Sequence, residues 1–248
     1  MAEKNKYIRQ SWVILAVFII AGLNPVFGQK KVGTTIFQFL KVMPDAHGTG
    51  MGDAVTSTIN NANAAFYNPA GLTGVDKLDL SFSSYKYFFD VKTTSISLAY
   101  KMGLYGTLGF HFINTDIGKI EVTSVDQLGF NDDGTFNPGL TGETINPIQM
   151  VIGLSYARSL TEKFSFGINL KYAREDMIKA DADGLVFDFG LVYKTGYRSI
   201  QTSAVIRNFG PEISFSDDEV TTNNSEFESY PPPQTLAIGV SGFLIAPE

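Results

Sequence analysis

The chain contains no cysteine, which excludes disulfides, thiolate metal sites and cysteine nucleophiles. Its two histidines, His47 and His111, lie far apart and match no HExxH or other metal-ligand spacing. Charge is sparse, at 18% of residues, and leans acidic: 25 Asp plus Glu against 19 Lys plus Arg give a formal charge of −6. The chain as a whole lacks the basic balance with which nucleic-acid binders displace counterions, and nucleic acid is not expected as a partner. Beyond residue 28 there is no uninterrupted apolar run long enough for a membrane helix. What is present is 44% hydrophobic residues, with 24 Gly, 20 Phe and 11 Tyr among 248 residues. The mean hydropathy is nevertheless only +0.04. That mixture is too apolar for a disordered chain and suits neither a helical membrane protein nor an ordinary enzyme.

The N-terminus reads as an address. Lys4, Lys6 and Arg9 precede an apolar run from Trp12 to Leu23, followed by Asn24-Pro25 and the small residue Gly28. This is the order of a secretory signal peptide, residues 1–28, with cleavage expected near Gly28. The apolar run is too short to cross about 30 Å of hydrocarbon.

From residue 78 the apolar residues recur with period 2, the mark of strands with one apolar face. Leu78-Leu80-Phe82, Ile96-Leu98-Tyr100, Leu108-Phe110-Phe112, Ile148-Met150-Ile152-Leu154-Tyr156, Phe164-Phe166-Ile168-Leu170-Tyr172, Leu185-Phe187-Phe189-Leu191-Tyr193, Ile200 to Ile206 and Leu236 to Leu244 mark eight strands. Short turns around Gly103, at 158–163 and at 195–198 alternate with long connections at 113–147, 175–184 and 208–234, as in an outer-membrane barrel. Period 2 alone also fits a soluble sandwich or lipocalin-like barrel. The opposite face separates them: half of its positions are Gly, Ala or Ser, among them Ser97, Ala99, Gly109, Gly153, Gly167 and Gly190. A water-facing sandwich would carry more Lys, Glu and Thr there, whereas small residues fit an interior that something approaches closely. The expected fold class is all-β, an antiparallel transmembrane β-barrel over 78–248, its apolar face toward outer-membrane lipid. Tyr100, Tyr156, Phe164 and Tyr193 beside the short turns fit an interfacial girdle.

Residues 29–77 do not alternate. Phe37 to Val42 fits a short strand or helical turn ended by Pro44, and Asn68-Pro69-Ala70-Gly71 reads as the turn that launches the first strand. The spaced glycines Gly48, Gly50 and Gly52 lack the GxGxxG spacing and the βαβ setting of a dinucleotide site. A tightly folded segment lying against a Gly- and Ser-rich wall is the expectation.

The stretches His47-Gly48-Thr49-Gly50-Met51-Gly52-Asp53 and Asn68-Pro69-Ala70-Gly71, with the hairpin Tyr156 to Tyr172, resemble the PorV/PorQ family, distant relatives of the FadL fatty-acid transporters. The resemblance implies a barrel of about fourteen strands with residues 29–77 folded inside as a plug or hatch. It also implies a part in type IX-like protein secretion, by binding or shuttling exported cargo proteins or secretion-system components. The alternative it leaves open is passive transport of hydrophobic ligands across the outer membrane. Eight strands enclose only their own side chains. Since the chain ends Phe243-Leu244-Ile245-Ala246-Pro247-Glu248, without the C-terminal aromatic residue that ends most bacterial outer-membrane barrels, the expectation is that further strands follow in a longer protein.

No catalytic constellation appears, and neither cofactor nor metal is expected. Gly153-Leu154-Ser155-Tyr156-Ala157 fails GxSxG at its last position and lies within a strand. Asn131-Asp132-Asp133-Gly134 and Asp181-Ala182-Asp183-Gly184 lack EF-hand spacing and read as acidic turns. The 208–234 connection is acidic, without a basic residue between Glu212 and Glu228, and reads as a solvated loop. By register Lys101, His111, Asn169, Lys171, Asp188 and Arg207 point inward. Structural pairing, with one another or with Asp45 and Asp53, is the expected role of the charged ones, and hydrogen bonding that of His111.

Overall fold

The computed structural model describes residues 35–86, 89, 91–177, 181–197, 199–216 and 228–243; the signal-peptide reading of 1–28 lies outside them. Twelve strands are described: β1 Leu78–Lys86, β2 Lys92–Lys101, β3 Thr107–Asp116, β4 Ile120–Phe130, β5 Phe136–Ile145, β6 Ile148–Ser159, β7 Phe164–Asp176, β8 Asp181–Lys194, β9 Gln201–Phe209, β10 Ile213–Ser214, β11 Ser229–Tyr230 and β12 Thr235–Ser241. The period-2 segments form one antiparallel sheet of eight strands in the order β1-β2-β3-β6-β7-β8-β9-β12. Every pair in it is a sequential up-and-down neighbour once the two excursions, β4-β5 and β10-β11, are set aside. Closure between β1 and β12 is not seen among the described residues.

The burial of the sheet is inverted relative to a soluble protein. On β6 Leu154 is 61% exposed, while its neighbour Ser155 is 3% exposed. The same alternation holds on β2, where Ile96, Leu98 and Tyr100 are exposed and Ser95, Ser97 and Ala99 are buried, and on β3, β7 and β8. The register aligns like with like across the sheet. Leu98 faces Leu80 and Phe110, and Phe110 faces Leu154, which faces Leu170 and then Phe187. One face is therefore a continuous apolar surface, and the other is a floor of small residues.

Residues 35–77 cover that floor. They form a 3₁₀ turn at Gln38–Lys41, short α-helices at Ala46–Gly50 and Ala64–Tyr67, and a 3₁₀ helix at Pro69–Gly74. Two buried clusters join the layers. Val55, Phe66, Tyr67 and Leu72 pack with Ala99 and Ala157; Ile36, Phe37 and Leu40 pack with Val151, Ala173 and Val186.

Three expectations are corrected. The stretch Asp181 to Gly184 is not an acidic turn but the start of β8, because its alternation continues that of the strand. Ala182 faces inward and is buried, Asp183 lies opposite Arg174 in the β7-β8 register, and the site a Cβ on Gly184 would occupy is filled by Ile213. The connection between β3 and β6 is not simply a loop: it holds the β4-β5 hairpin, whose turn at Asn131–Gly134 is closed by Asn131 and Asp133 bonding Thr135. The connection between β9 and β12 contains the short β10-β11 pair.

Candidate functional site

The polar residues of the molecule converge where the N-terminal segment meets the small-residue face. Asn68 caps the 3₁₀ helix that follows it: its Oδ1 accepts from the Ala70 amide at 3.1 Å, and its Nδ2 donates to the carbonyls of Thr56 (2.9 Å) and Leu191 (3.2 Å). Proline at the next position suits a helix start, since its missing amide would have no partner there. Asn68, Pro69, Ala70 and Gly71 are all buried, and they lie directly on two strands. A Cβ on Gly190 would stand 2.0 Å from Asn68 Oδ1. One on Gly167 would stand 2.3 Å from the Pro69 carbonyl carbon, and one on Gly71 would stand 2.3 Å from the Ile59 carbonyl oxygen. Glycine at these positions is what permits backbone to rest on backbone.

A second anchor is built from Asp45, which caps the Ala46–Gly50 helix. Its Oδ2 accepts from the Gly48 amide and its Oδ1 from Asn63 Nδ2, both at 2.7 Å. Asn63 Oδ1 in turn accepts from Ser97 Oγ of β2 at 2.7 Å. The Gly48 position is sealed by Tyr67, whose hydroxyl donates to Asp53. Burial, and then the carboxylates of Asp53 and Asp45, hold the Tyr67 phenol above its usual range.

The third anchor is a buried ionic cluster. Lys171 Nζ lies 2.7 Å from Asp188 Oδ1 and donates to Asn208 Oδ1 at 2.5 Å. Asp188 also accepts from the Asn208 amide and, through Oδ2, from Asn169 Nδ2, each at 2.8 Å. Asn169 Nδ2 reaches the Ala65 carbonyl at 2.7 Å, which ties the cluster to the N-terminal segment. All four side chains are buried, so each charge is paired and hydrogen-bonded where water would otherwise be needed. His111 is buried as well. Its Nδ1 meets Ser155 Oγ at 3.3 Å, its ring packs edge-on against Phe66 at 5.4 Å, and Gly153 provides the space it fills. Arg207 directs NH1 to Met43 Sδ at 3.4 Å.

The inward residues therefore do not act as one group. Asn169, Lys171 and Asp188 are joined, His111 and Arg207 border them, and Lys101 stands at the rim with its amide bonded to Lys77. The Gly-rich motif is divided in the same way. Gly48 is buried, whereas His47, Gly50, Met51, Gly52 and Asp53 are exposed, with Gly52 and Asp53 both in the left-handed region that makes the turn. Neither Asp45 nor Asp53 forms an ion pair with the inward cations among the described residues; the partner of Lys171 is Asp188.

Sequence reasoning missed Asn63, Glu175 and Asn208 as members of the site. Glu175 is buried at the far end of β7, accepting from Gln149 Nε2 at 2.8 Å and from the Phe37 amide at 3.3 Å. Its inward parity was the available signal. Asn208 gave none, because an irregularity in the β8-β9 register and a left-handed backbone (φ 57) bring both Arg207 and Asn208 toward one face.

Among the described residues no three His, Cys, Asp or Glu side chains group as a metal site. A cavity of about 360 Å³ opens at the long-connection end, between Phe39 and Val42 of the segment and Val91, Ile113 and Gln149 of the sheet. Searches against protein-family models and against curated proteins each return no match.

Proposed function

We propose that this chain is an outer-membrane β-barrel protein of the PorV/PorQ kind, related to FadL, whose segment 35–77 lies inside the barrel as a plug. The observation that carries the reading is the inverted burial: a continuous apolar face turned outward and a small, polar face turned inward against the segment. In water such a surface would aggregate; in lipid it is the arrangement a spanning sheet requires, with backbone groups paired strand to strand.

On this reading the barrel serves protein secretion, receiving exported cargo at the end where the long connections lie. The β4-β5 hairpin supports that role, since it extends beyond the sheet and exposes Val125, Leu128, Phe130 and Phe136. The floor bound by Asn68, Asp45 and Lys171 favours a firmly seated segment over an open conduit. Passive transport of a hydrophobic ligand is the second reading. It is supported by the apolar cavity at the same end, whose volume falls within the range of small-molecule sites.

Outer-membrane extraction of the full-length gene product should yield a protein whose migration on a denaturing gel changes on heating, and tagged protein should retain exported proteins that share a C-terminal domain. Recovery of the product as a soluble periplasmic protein overturns both readings. Loss of growth on fatty acids or aromatics after deletion, with secretion intact, favours the second.

A further inference from the structure

The two ends of the sheet carry opposite charge. The connection from β3 to β6, at the long-connection end, holds Glu121, Asp126, Asp132, Asp133 and Glu143 against Lys119. At the short-turn end Lys77, Lys101, Arg158, Lys163 and Lys194 stand against Asp76 and Glu162. Backbone bonds set these cations side by side, with the Lys101 amide donating to the Lys77 carbonyl at 2.9 Å and the Lys194 amide to the Lys163 carbonyl at 2.8 Å. All but Lys101 are exposed. Among the described residues, none of the five takes part in an ion pair.

Arg158 differs from the other four in its face. The register of β6 puts it in line with Ile152, Leu154 and Tyr156 on the apolar side, opposite Phe166 of β7. Around it lie aromatics with polar ends: Tyr156 packs edge-on against Phe166 at 6.2 Å and donates its hydroxyl to the Tyr105 carbonyl at 2.8 Å, and Tyr193 faces Phe164 on the next pair. This is a guanidinium one step beyond the last apolar residue of its strand, within an aromatic belt, in the same hairpin as Lys163.

We propose that the short-turn end is a docking surface for anionic phospholipid headgroups, with Arg158 on the apolar face and Lys163 in the following turn as its principal cations. The inference rests on the membrane-barrel reading above. A guanidinium presents a planar fork of donors that matches phosphate oxygens in pairs, and Lys163 adds a point charge in the adjoining turn. Tyrosine and arginine at the edge of an apolar band sit at headgroup depth, where each basic residue contributes to attraction by acidic lipid. The acidic long-connection end repels the same headgroups, so the charge distribution distinguishes one membrane surface from the other.

The test uses full-length protein extracted in neutral detergent, stripped of lipid and mixed with phosphatidylglycerol or phosphatidylethanolamine before native mass spectrometry. The expected result is preferential retention of phosphatidylglycerol, falling roughly tenfold in Arg158→Gln/Lys163→Gln. Arg158→Lys should retain an intermediate amount, and Asp132→Asn/Asp133→Asn should match the parent. Equal retention of the two lipids by the parent overturns the assignment, as does a double variant that retains phosphatidylglycerol like the parent. Heat-modifiable migration, measured on each sample, separates the failures. A heat-modifiable parent without lipid preference sinks the lipid surface alone, and a parent lacking heat-modifiable migration sinks the barrel reading with it.

Discussion

Gly190 and Gly167 decide whether the N-terminal segment can sit down at all. A side chain on Gly190 meets the Asn68 amide side chain and the Pro69 ring, and neither can withdraw, because Asn68 is bonded to Thr56, Ala70 and Leu191. Gly190→Val is expected to cost about 3 kcal/mol, measured by urea unfolding in detergent. Gly50→Ala, in open space with ordinary backbone angles, should be close to neutral. The Lys171–Asp188 pair gives a second residue-scale prediction. Lys171→Met leaves Asp188 buried and without its counter-charge, and should cost about 3–5 kcal/mol, whereas Lys171→Met/Asp188→Leu should recover much of that loss. A double variant no more stable than the single would mean that the remaining partners, Asn169 and Asn208, depend on the carboxylate themselves.

Among the elements, the β4-β5 hairpin and the 35–77 segment stand in opposite relations to the sheet. The hairpin pairs only with itself, and its base is closed by the bond from the Ile117 amide to the Pro147 carbonyl. An isolated two-stranded ribbon adds little to the stability of its neighbours. Replacing residues 120–145 with a short Gly-Ser turn should therefore leave heat-modifiable migration and the urea midpoint nearly unchanged while removing any cargo retention that depends on Phe130 and Phe136. A large fall in the midpoint would show that the hairpin is structural. The 35–77 segment, by contrast, is fastened along the width of the sheet: Ser97 on β2, Asn169 on β7 and the Leu191 carbonyl on β8 each take part in a bond to it.

Across the whole molecule, the polarity of the two faces sets what the surroundings must be. Leu154 lies near the middle of β6 on the apolar face, flanked in register by Phe110 and Leu170. If that face meets hydrocarbon, Leu154→Arg should destabilise the inserted protein by about 2–4 kcal/mol, since a cation near the bilayer midplane has no solvation there. If the face met water, the same change would be neutral or would improve solubility. Folding into lipid vesicles across a urea series separates the two outcomes.

Period-2 alternation made all eight strands of the large sheet legible from residue order alone, because a strand alternates its sides whatever it packs against. The small residues of the second face were legible in the same way, as were the turn at Asn68–Gly71 and the inward parity of Asn169, Lys171 and Asp188. Parity gives a direction and no partner. That Lys171 meets Asp188 rather than Asp45 or Asp53, and that Asn208 joins them, depended on the offset between β7 and β8 and on an irregularity opposite β9, which no local pattern encodes. The Asp181–Gly184 stretch misled for a related reason: acidic residues and glycine favour turns locally, but pairing with β7 and the fit of Ile213 over Gly184 overrode that preference. The sequence by itself determined which side of each strand is apolar, since that is a property of alternate residues. Only the tertiary structure decided what rests on the other side, because the contact of Pro69 with Gly167 and of Asn68 with Gly190 joins residues about a hundred or more positions apart, brought together by the closing of many strand pairs.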